Sequence, residues 1–184
     1  MIRSVLALVL ATLLVTPALA DPVVVPPVLH DVTGVAVDVA RLAREGHLVF
    51  VTVKAAWCPV CRAQLQRLGR LLPRLRACGA SFVVLVPGPT DTVAALARDA
   101  SFPYPFVSDG AVALAAAAGF GMGSDELVPG FFAVDARRAI VWEQRGRSAG
   151  PSATPSSCDF SAAARRAPRI CWRDSEIMPA STSP

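Results

Sequence analysis

The chain has 184 residues, a length typical of one domain with additional terminal segments. Its hydrophobic fraction is 53%, and the first twenty residues raise that figure. The formal net charge is +4, but the basic residues are scattered rather than gathered on one face with aromatic partners, so we expect no nucleic-acid partner.

Residues 1–20 have the pattern of a secretory signal peptide. Arg3 is the basic start, Val5–Val15 is the apolar stretch, and Ala18-Leu19-Ala20 is a small-x-small cleavage site. The alternative is an uncleaved anchor, although the stretch is shorter than the about 20 apolar residues that span a bilayer. We therefore predict a periplasmic or secreted protein that contacts a membrane only if the signal is not cleaved.

The elements that follow alternate between strands and helices. Pro-rich residues 21–27 should be extended. A short helix pattern over Asp38–Arg44 has Asp38 as its cap and Gly46 as its stop. His47–Lys54 is a continuous apolar, β-branched run, which is typical of a central strand buried on both faces.

The next segment predicts the longest helix of the chain. Apolar residues recur at steps of four and three, and most arginines fall outside that stripe. Pro73 should kink or end the helix near its last turn. The stripe consists of Cys61, Leu65, Leu68, Leu72 and Leu75.

The rest of the chain predicts a mixed sheet with helices on both faces, followed by a tail. We expect one domain over residues 21–147 and a linker and tail of uncertain order over 148–184. The predicted elements are a strand over Ser81–Val86, a helix from Thr90 (its cap) to about Ala100, a short strand ending at Val107, a helix opened by Asp109 and closed by Gly119, and a hairpin of Gly130–Asp135 with Ala139–Arg145.

Trp57-Cys58-Pro59-Val60-Cys61 stands where the buried strand leads into that helix. At a helix N-terminus, unpaired amides and the helix dipole favour a Cys58 thiolate, and Lys54 and Arg62 would add positive potential. Cys61 lies one turn later on the apolar stripe, so it could resolve a mixed disulfide formed by Cys58. The alternatives are a structural disulfide or half of a zinc site, but zinc needs four ligands and no second paired motif exists. We expect no metal and no cofactor.

Three further cysteines complete the set. Cys158 and Cys171 should form a structural disulfide closing a tail loop, with a second redox relay as the alternative. Cys78, near the end of the predicted long helix, is expected to be a packed thiol.

Three stretches resemble one protein family. VFVTVKAAWCPVCRAQL resembles the active-site segment of thioredoxins, and within that superfamily the TlpA/ResA and AhpC/TSA (redoxin) branch. YPFVSDGAVALAAAAGFG resembles the inserted strand and helix of that branch, and VPGFFAVDARRAIVWEQRG resembles its final strand pair. The resemblance covers about Leu29–Gly146 and implies a thioredoxin-like three-layer α/β sandwich with a redoxin-type insertion.

The resemblance also implies roles near the cysteines. Pro129 would be a cis-proline, the Val128 backbone would pair with an extended substrate segment, and Trp57 would flank the nucleophile. The alternatives are an ordinary trans proline and a packed tryptophan. Thr52 departs from the family, because it stands where thioredoxins place a buried Asp that manages the resolving thiol's proton.

We therefore predict an exported thiol–disulfide oxidoreductase with Cys58 and Cys61 as its redox pair. Its partners would be protein thiols or disulfides and an upstream thiol donor or acceptor. Val60 cannot donate to a thiolate, which favours a reductant or a moderate potential. A peroxiredoxin-like peroxidase with Cys58 as peroxidatic cysteine is the alternative, although Ala55 replaces the Thr or Ser that such relatives use. A non-catalytic binding module is a third possibility.

Overall fold

The computed structural model describes residues 23–146, and within that range no helix is long and apolar enough to cross a membrane. The predicted signal, linker and tail fall outside it. The strands are β1 (Val28–His30), β2 (Ala36–Asp38), β3 (His47–Thr52), β4 (Ala80–Leu85), β5 (Phe106–Val107), β6 (Gly130–Val134) and β7 (Ile140–Arg145). The helices are α1 (Val39–Glu45), α2 (Pro59–Ala77), α3 (Thr90–Ala100) and α4 (Ala111–Ala117).

Five strands form one mixed sheet in the order β5-β4-β3-β6-β7. The central strand β3 runs parallel to β4 and antiparallel to β6. Thr52 pairs with Gly130, and Gly130 pairs with Arg145. The last residues of β3 and β7 and the first residue of β6 therefore lie side by side at the same end of the strands. Every residue of β3 except His47 is buried, as its apolar run predicted.

Two hydrophobic cores cover the two faces of this sheet. Val49 and Val51 pack with α2 and α3 on one face, while Leu48 and Phe50 pack with α1 and α4 on the other. The Phe50 and Phe132 rings stack on the second face with centroids 4.7 Å apart. Because successive strand residues point to opposite faces, one strand supplies both cores. The predicted three-layer α/β arrangement is confirmed.

Helix α2 buries the predicted stripe and continues through Pro73 to Ala77. Pro73 is exposed, whereas Leu72 and Leu75 beside it are buried. The prediction that Pro73 ends the helix is therefore wrong. The buried side chains beside it keep the last turn in place although the proline lacks an amide donor.

Some predicted boundaries are wrong. The helix α3 has Pro89 as its N-cap and no side-chain cap bond, so Thr90 is its first residue and not its cap. Gly110, in the left-handed conformation, caps α4 where Asp109 was expected. The β1–β2 hairpin was not predicted. The Asp38 cap is confirmed, because its carboxylate accepts the Arg41 N–H over 2.8 Å.

The end of α2 packs against the start of β3. The His47 N–H donates to the Gly79 carbonyl over 2.9 Å, and Gly79 has a φ of +70°, which favours glycine. Cys78 is the C-cap residue of α2 and is disulfide-bonded, so the expectation of a packed thiol is wrong. The predicted Cys158–Cys171 disulfide lies outside the described residues.

Candidate active site

Cys58 is the N-cap residue of α2. It has extended backbone angles (φ −71°, ψ 110°), and its Sγ accepts the Cys61 N–H over 3.3 Å. Pro59 follows at the first helical position, where its missing amide donor costs nothing. The sulfur therefore replaces the oxygen of an ordinary capping side chain and receives the positive end of the helix dipole. This is the position that the sequence predicted.

Cys61 lies one turn further on, inside the core that α2 forms with the sheet. Both cysteines are free, with exposed fractions of 8% for Cys58 and 3% for Cys61. Burial raises the pKa of the Cys61 thiol to about 11, and its hydrogen bond with Cys58 raises it too, while backbone hydrogen bonds from Lys54 and Ala55 act in the opposite direction. Cys61 is thus a protonated thiol at neutral pH.

Thr52 ends β3 and is the only buried polar residue among those described, at 1% exposed. Its hydroxyl donates to the Val128 carbonyl over 2.8 Å. The hydroxyl therefore joins two backbone segments and supplies no carboxylate to accept the Cys61 proton.

Lys54 contacts three parts of the site. Its ammonium lies 3.4 Å from a Glu126 carboxylate oxygen and 5.4 Å from the centroid of the Trp57 ring. Its carbonyl accepts the Leu127 N–H over 3.1 Å. Lys54 thereby connects the segment leading into Cys58 with the segment before β6. Glu126 was missed from the sequence, because no motif surrounds it and only the fold brings it to Lys54.

The positive potential expected near Cys58 is reduced by these pairings. Lys54 is paired with Glu126, and the Arg62 guanidinium lies 3.5 Å from Asp99. Partly exposed ion pairs of this kind contribute little to stability, but each places a carboxylate beside the cation. The Cys61 N–H at the start of α2 remains the donor in direct contact with the Cys58 sulfur.

The predicted cis-proline is wrong. The described residues contain no cis peptide bond, so the Val128–Pro129 bond is trans, which was the alternative. The Val128 N–H donates to the Phe120 carbonyl over 2.8 Å, and its carbonyl accepts from Thr52. Because the Val128 N–H and carbonyl both have hydrogen-bond partners inside the fold, the N–H is not free to pair with an extended substrate segment as predicted.

Two exposed apolar side chains flank Cys58 in the chain. Trp57 is 65% exposed and Val60 is 74% exposed, on either side of Cys58 and Pro59. Large apolar side chains this exposed are often contact points for other proteins. The substrate-binding role of Trp57 stays a prediction. Within residues 23–146, no three potential metal ligands come together.

The fold and the paired thiols define a thiol-based redox protein of the thioredoxin-like class. The Redoxin family model matches residues 17–159. The chain belongs to the Redoxin family, as the resemblance in its sequence implied. A search of curated proteins found no significant match.

Solved structures from two kinds of redox protein share the fold. The peroxidoxin BcpB from Mycobacterium tuberculosis is 24% identical, with a TM-score of 0.57 over 67% of this chain and 84% of that one. The bacterioferritin comigratory protein of Xanthomonas campestris, described for alkyl peroxide reduction, is 20% identical, with a TM-score of 0.56 over 68% and 87%.

The third structure is a secreted disulfide oxidoreductase from Mycobacterium tuberculosis, homologous to Escherichia coli DsbE. It is 16% identical, with a TM-score of 0.51 over 68% of this chain and 87% of that one. At these identities the likeness shows the fold alone. Family and fold together support a thiol oxidoreductase or peroxidase.

Proposed function

We propose that the protein is an exported thiol–disulfide oxidoreductase that acts on protein substrates through Cys58 and Cys61. The observation that carries this proposal is the position of Cys58 at the N-cap of α2, with Cys61 one turn behind it. The Cys58 sulfur accepts the Cys61 N–H over 3.3 Å, and both thiols are free. A dithiol placed in this way can open and close as a disulfide.

The reaction has two exchanges. The Cys58 thiolate attacks one sulfur of a substrate disulfide, which forms a mixed disulfide and releases the other substrate sulfur as a thiolate. Cys61 then loses its proton and attacks the Cys58 sulfur, forming the Cys58–Cys61 disulfide and releasing the second substrate thiolate. A dithiol donor of another protein restores the reduced pair by the same exchange in reverse.

The raised pKa of Cys61 suits its resolving role. With a value of about 11, this thiol stays protonated while Cys58 attacks, so it does not compete as a nucleophile. The Thr52 hydroxyl is bonded to Val128 and is a poor base. We therefore assign the Cys61 proton to water or to the departing substrate thiolate, which is basic and adjacent at that moment.

The surface around Cys58 favours a protein substrate. Trp57 and Val60, which precede and follow Cys58 in the chain, are exposed apolar side chains, and the Lys54 ammonium lies 5.4 Å from the centroid of the Trp57 ring. A substrate cysteine flanked by apolar residues would bury these side chains as it approaches. Because Val60 cannot donate to a thiolate, a reducing or moderate potential is the direction we propose.

A peroxidase is the competing function within the family. Cleaving a peroxide bond develops negative charge on the leaving oxygen, which hydrogen-bond donors must stabilise. The Ala55 side chain is a buried methyl group, and its carbonyl already accepts the Cys58 N–H over 3.1 Å. Fast reaction with peroxide is therefore not expected.

Turnover assays with matched cysteine variants test the proposal. The wild type should reduce insulin disulfides, Cys58→Ser should have no activity, and Cys61→Ser should stop at a mixed disulfide on Cys58. Rapid consumption of stoichiometric hydrogen peroxide, with a trapped Cys58 sulfenate and no insulin reduction, would instead establish a peroxidase.

We also propose export, which rests on the signal pattern of residues 1–20. The full chain and a chain beginning at Asp21, expressed in a bacterial host, should separate into extracytoplasmic and cytoplasmic fractions. Mass spectrometry of the exported protein should find an N-terminus at Asp21. Retention of both forms in the cytoplasm would contradict export.

A further inference from the structure

Helix α2 carries five arginines and no acidic residue. One of them is paired across the helix interface, since the Arg62 guanidinium lies 3.5 Å from Asp99 of α3. Arg67 and Arg70 are exposed, and neither forms an ion pair with any residue in the described range 23–146. Their positive charges are therefore open to a partner from outside this part of the chain.

Arg67 and Arg70 belong to an exposed line of residues that begins beside the reactive cysteine. The line consists of Val60, Ala63, Arg67 and Arg70, whose spacing of three, four and three residues places them on one face of the helix. All four are exposed, whereas the apolar stripe on the other side of α2 is buried. The outer face of α2 is therefore apolar near Cys58 and basic further along.

The stability of the helix does not explain these two charges. Like charges three residues apart on a helix repel each other, so Arg67 and Arg70 destabilise α2 slightly. The helix dipole favours cations only in the last turn, which Arg74 and Arg76 occupy. Two arginines in the middle of the helix gain nothing from the dipole, but a negatively charged partner on this face would stabilise both.

The distances along α2 define the segment that such a partner would present. At about 1.5 Å per residue, Arg67 and Arg70 lie about 14 Å and about 18 Å along the helix from Cys58. An extended peptide covers about 3.4 Å per residue, so the fourth to sixth residues from a cysteine held at Cys58 come level with the two arginines. A matching substrate has apolar residues next to its cysteine and acidic residues at those positions.

We propose that α2 binds an acidic segment of the protein substrate, in which carboxylates pair with Arg67 and Arg70 while Val60 contacts the apolar residues beside the substrate disulfide. The inference rests on the proposed exchange at Cys58 and names the class of protein on which it acts. Opposite charges at the rim of an interface increase the rate of encounter and select the partner. The preference should therefore appear in the reaction rate and weaken with salt.

Two peptide disulfides that differ only in charge test this preference. Each is a disulfide-linked homodimer of a peptide with one cysteine between apolar residues. The acidic form has glutamate at the fourth to sixth positions on both sides of the cysteine, and the neutral form has glutamine there. At low ionic strength the reduced protein should reduce the acidic form about five times faster than the neutral form, measured by chromatography of the released thiol peptide.

The outcomes of this assay separate the preference from the chemistry. Equal rates for the two peptides would overturn the acidic preference and leave the exchange at Cys58 intact. No reduction of either peptide would overturn the exchange itself, and the preference with it. The ratio of the two rates should also fall towards one at high salt, because exposed ion pairs are screened there.

Matched arginine variants locate the effect on α2. In the double variant Arg67→Gln, Arg70→Gln, the ratio of the two rates should fall from about five to about one, whereas Arg67→Lys, Arg70→Lys should keep most of it. The control Arg44→Gln, Arg137→Gln removes two exposed positive charges from other parts of the fold and should keep the full ratio. An unchanged ratio in the glutamine variant of α2 would overturn the proposal.

An anionic membrane is the competing partner for a basic face. Segments that bind acidic lipids typically gather about four to eight basic residues, more than the two on this line, so a protein substrate is favoured. The wild type should not sediment with phosphatidylglycerol vesicles or with neutral phosphatidylcholine vesicles. Binding to the anionic vesicles that is lost in Arg67→Gln, Arg70→Gln, together with equal rates for the two peptides, would assign the face to a membrane instead.

Discussion

The Thr52 hydroxyl donates to the Val128 carbonyl over 2.8 Å, so the end of the central strand is joined to the segment that precedes β6. Leu127, next to Val128, donates its N–H to Lys54, two residues after Thr52. Two hydrogen bonds thus hold the segment before β6 against the segment that leads into Cys58. The backbone on both sides of this contact, at the end of β3 and before β6, is therefore held in place without a substrate.

Replacing Thr52 by valine should weaken this connection. Valine has nearly the same shape but no hydroxyl, so the half-buried Val128 carbonyl loses the donor that Thr52, itself 1% exposed, supplies. We expect the free energy of unfolding to fall by about 1–3 kcal/mol, measured by urea denaturation. Thr92→Val, at an exposed position, is the control and should change it by less than about 0.5 kcal/mol.

Cys58 and Cys61 should differ strongly in their rates of alkylation. Because the pKa of Cys61 is raised to about 11, roughly one in a thousand of its side chains is a thiolate at pH 8. Iodoacetamide should therefore modify Cys58 first in the reduced protein, and Cys61 only as the pH approaches 11. Mass spectrometry of peptides from timed reactions measures both rates. Equal rates at pH 8 would contradict the assigned roles.

The same pKa predicts a pH-dependent stability. The folded protein holds the Cys61 proton up to about pH 11, whereas the unfolded chain releases it near 9.0. The unfolded state therefore binds fewer protons between these values, and the free energy of unfolding of the reduced protein should fall as the pH rises from 9 to 11.

The disulfide form supplies the control for that measurement. Neither sulfur of the pair carries a proton in this form, so the contribution of Cys61 to the slope disappears together with that of Cys58, while the titrating groups outside the pair remain. The difference between the two forms should be on the order of 2 kcal/mol across this range. Reduced Cys58→Ser, which keeps the Cys61 thiol, should retain the slope, and parallel stability curves of the reduced and oxidised wild type would contradict a contribution from Cys61.

Two glycine substitutions should change stability in opposite directions. A Cβ on Gly130 would lie 2.8 Å from the Phe120 ring and would also overlap the Gln144 carbonyl, so Gly130→Ala should destabilise the fold by more than about 2 kcal/mol. A Cβ on Gly69, inside α2, meets only the Phe102 ring at 4.0 Å. Gly69→Ala should stabilise by about 0.5–1 kcal/mol. Thermal and urea unfolding of both variants measure these changes.

Lys54→Met should reduce activity more than stability. The ammonium lies between Glu126 and the Trp57 ring, and its removal frees the indole beside Cys58. We expect kcat/KM for insulin reduction to fall about two- to five-fold, with less than about 1 kcal/mol lost in stability. Arg62→Met breaks the comparable pair with Asp99 without touching Trp57 and should retain the wild-type rate. Equal losses in both variants would contradict a specific role for Lys54.

The sequence predicted the elements that have strong periodicity. The four- and three-residue spacing of the α2 stripe and the apolar run of β3 each require burial, and the structure buries both. Cys58 and Cys61 were identifiable because their positions relative to the end of β3 and the start of α2 are local properties. Helix continuation through Pro73 was not, since it depends on how Leu72 and Leu75 pack against other elements.

The rest of the site depends on contacts between distant residues. Glu126 reaches Lys54 only because the segment before β6 folds back on the end of β3. The Val128 backbone was expected to face a substrate, but Phe120 and Thr52 satisfy it instead. The strands β1 and β2 have three residues each, which is too short for an alternating pattern to stand out.

Cys61 is both the proposed resolving thiol and the first member of the apolar stripe that α2 buries. Cys58 belongs to the same hydrophobic core, so closing the disulfide rearranges two of its side chains, and the packing around them affects how stable the closed form is. By thermodynamic linkage, the difference in unfolding free energy between the two forms equals the difference in redox free energy between folded and unfolded chains. Any substitution along the stripe that stabilises one form over the other should shift the midpoint potential by the corresponding amount.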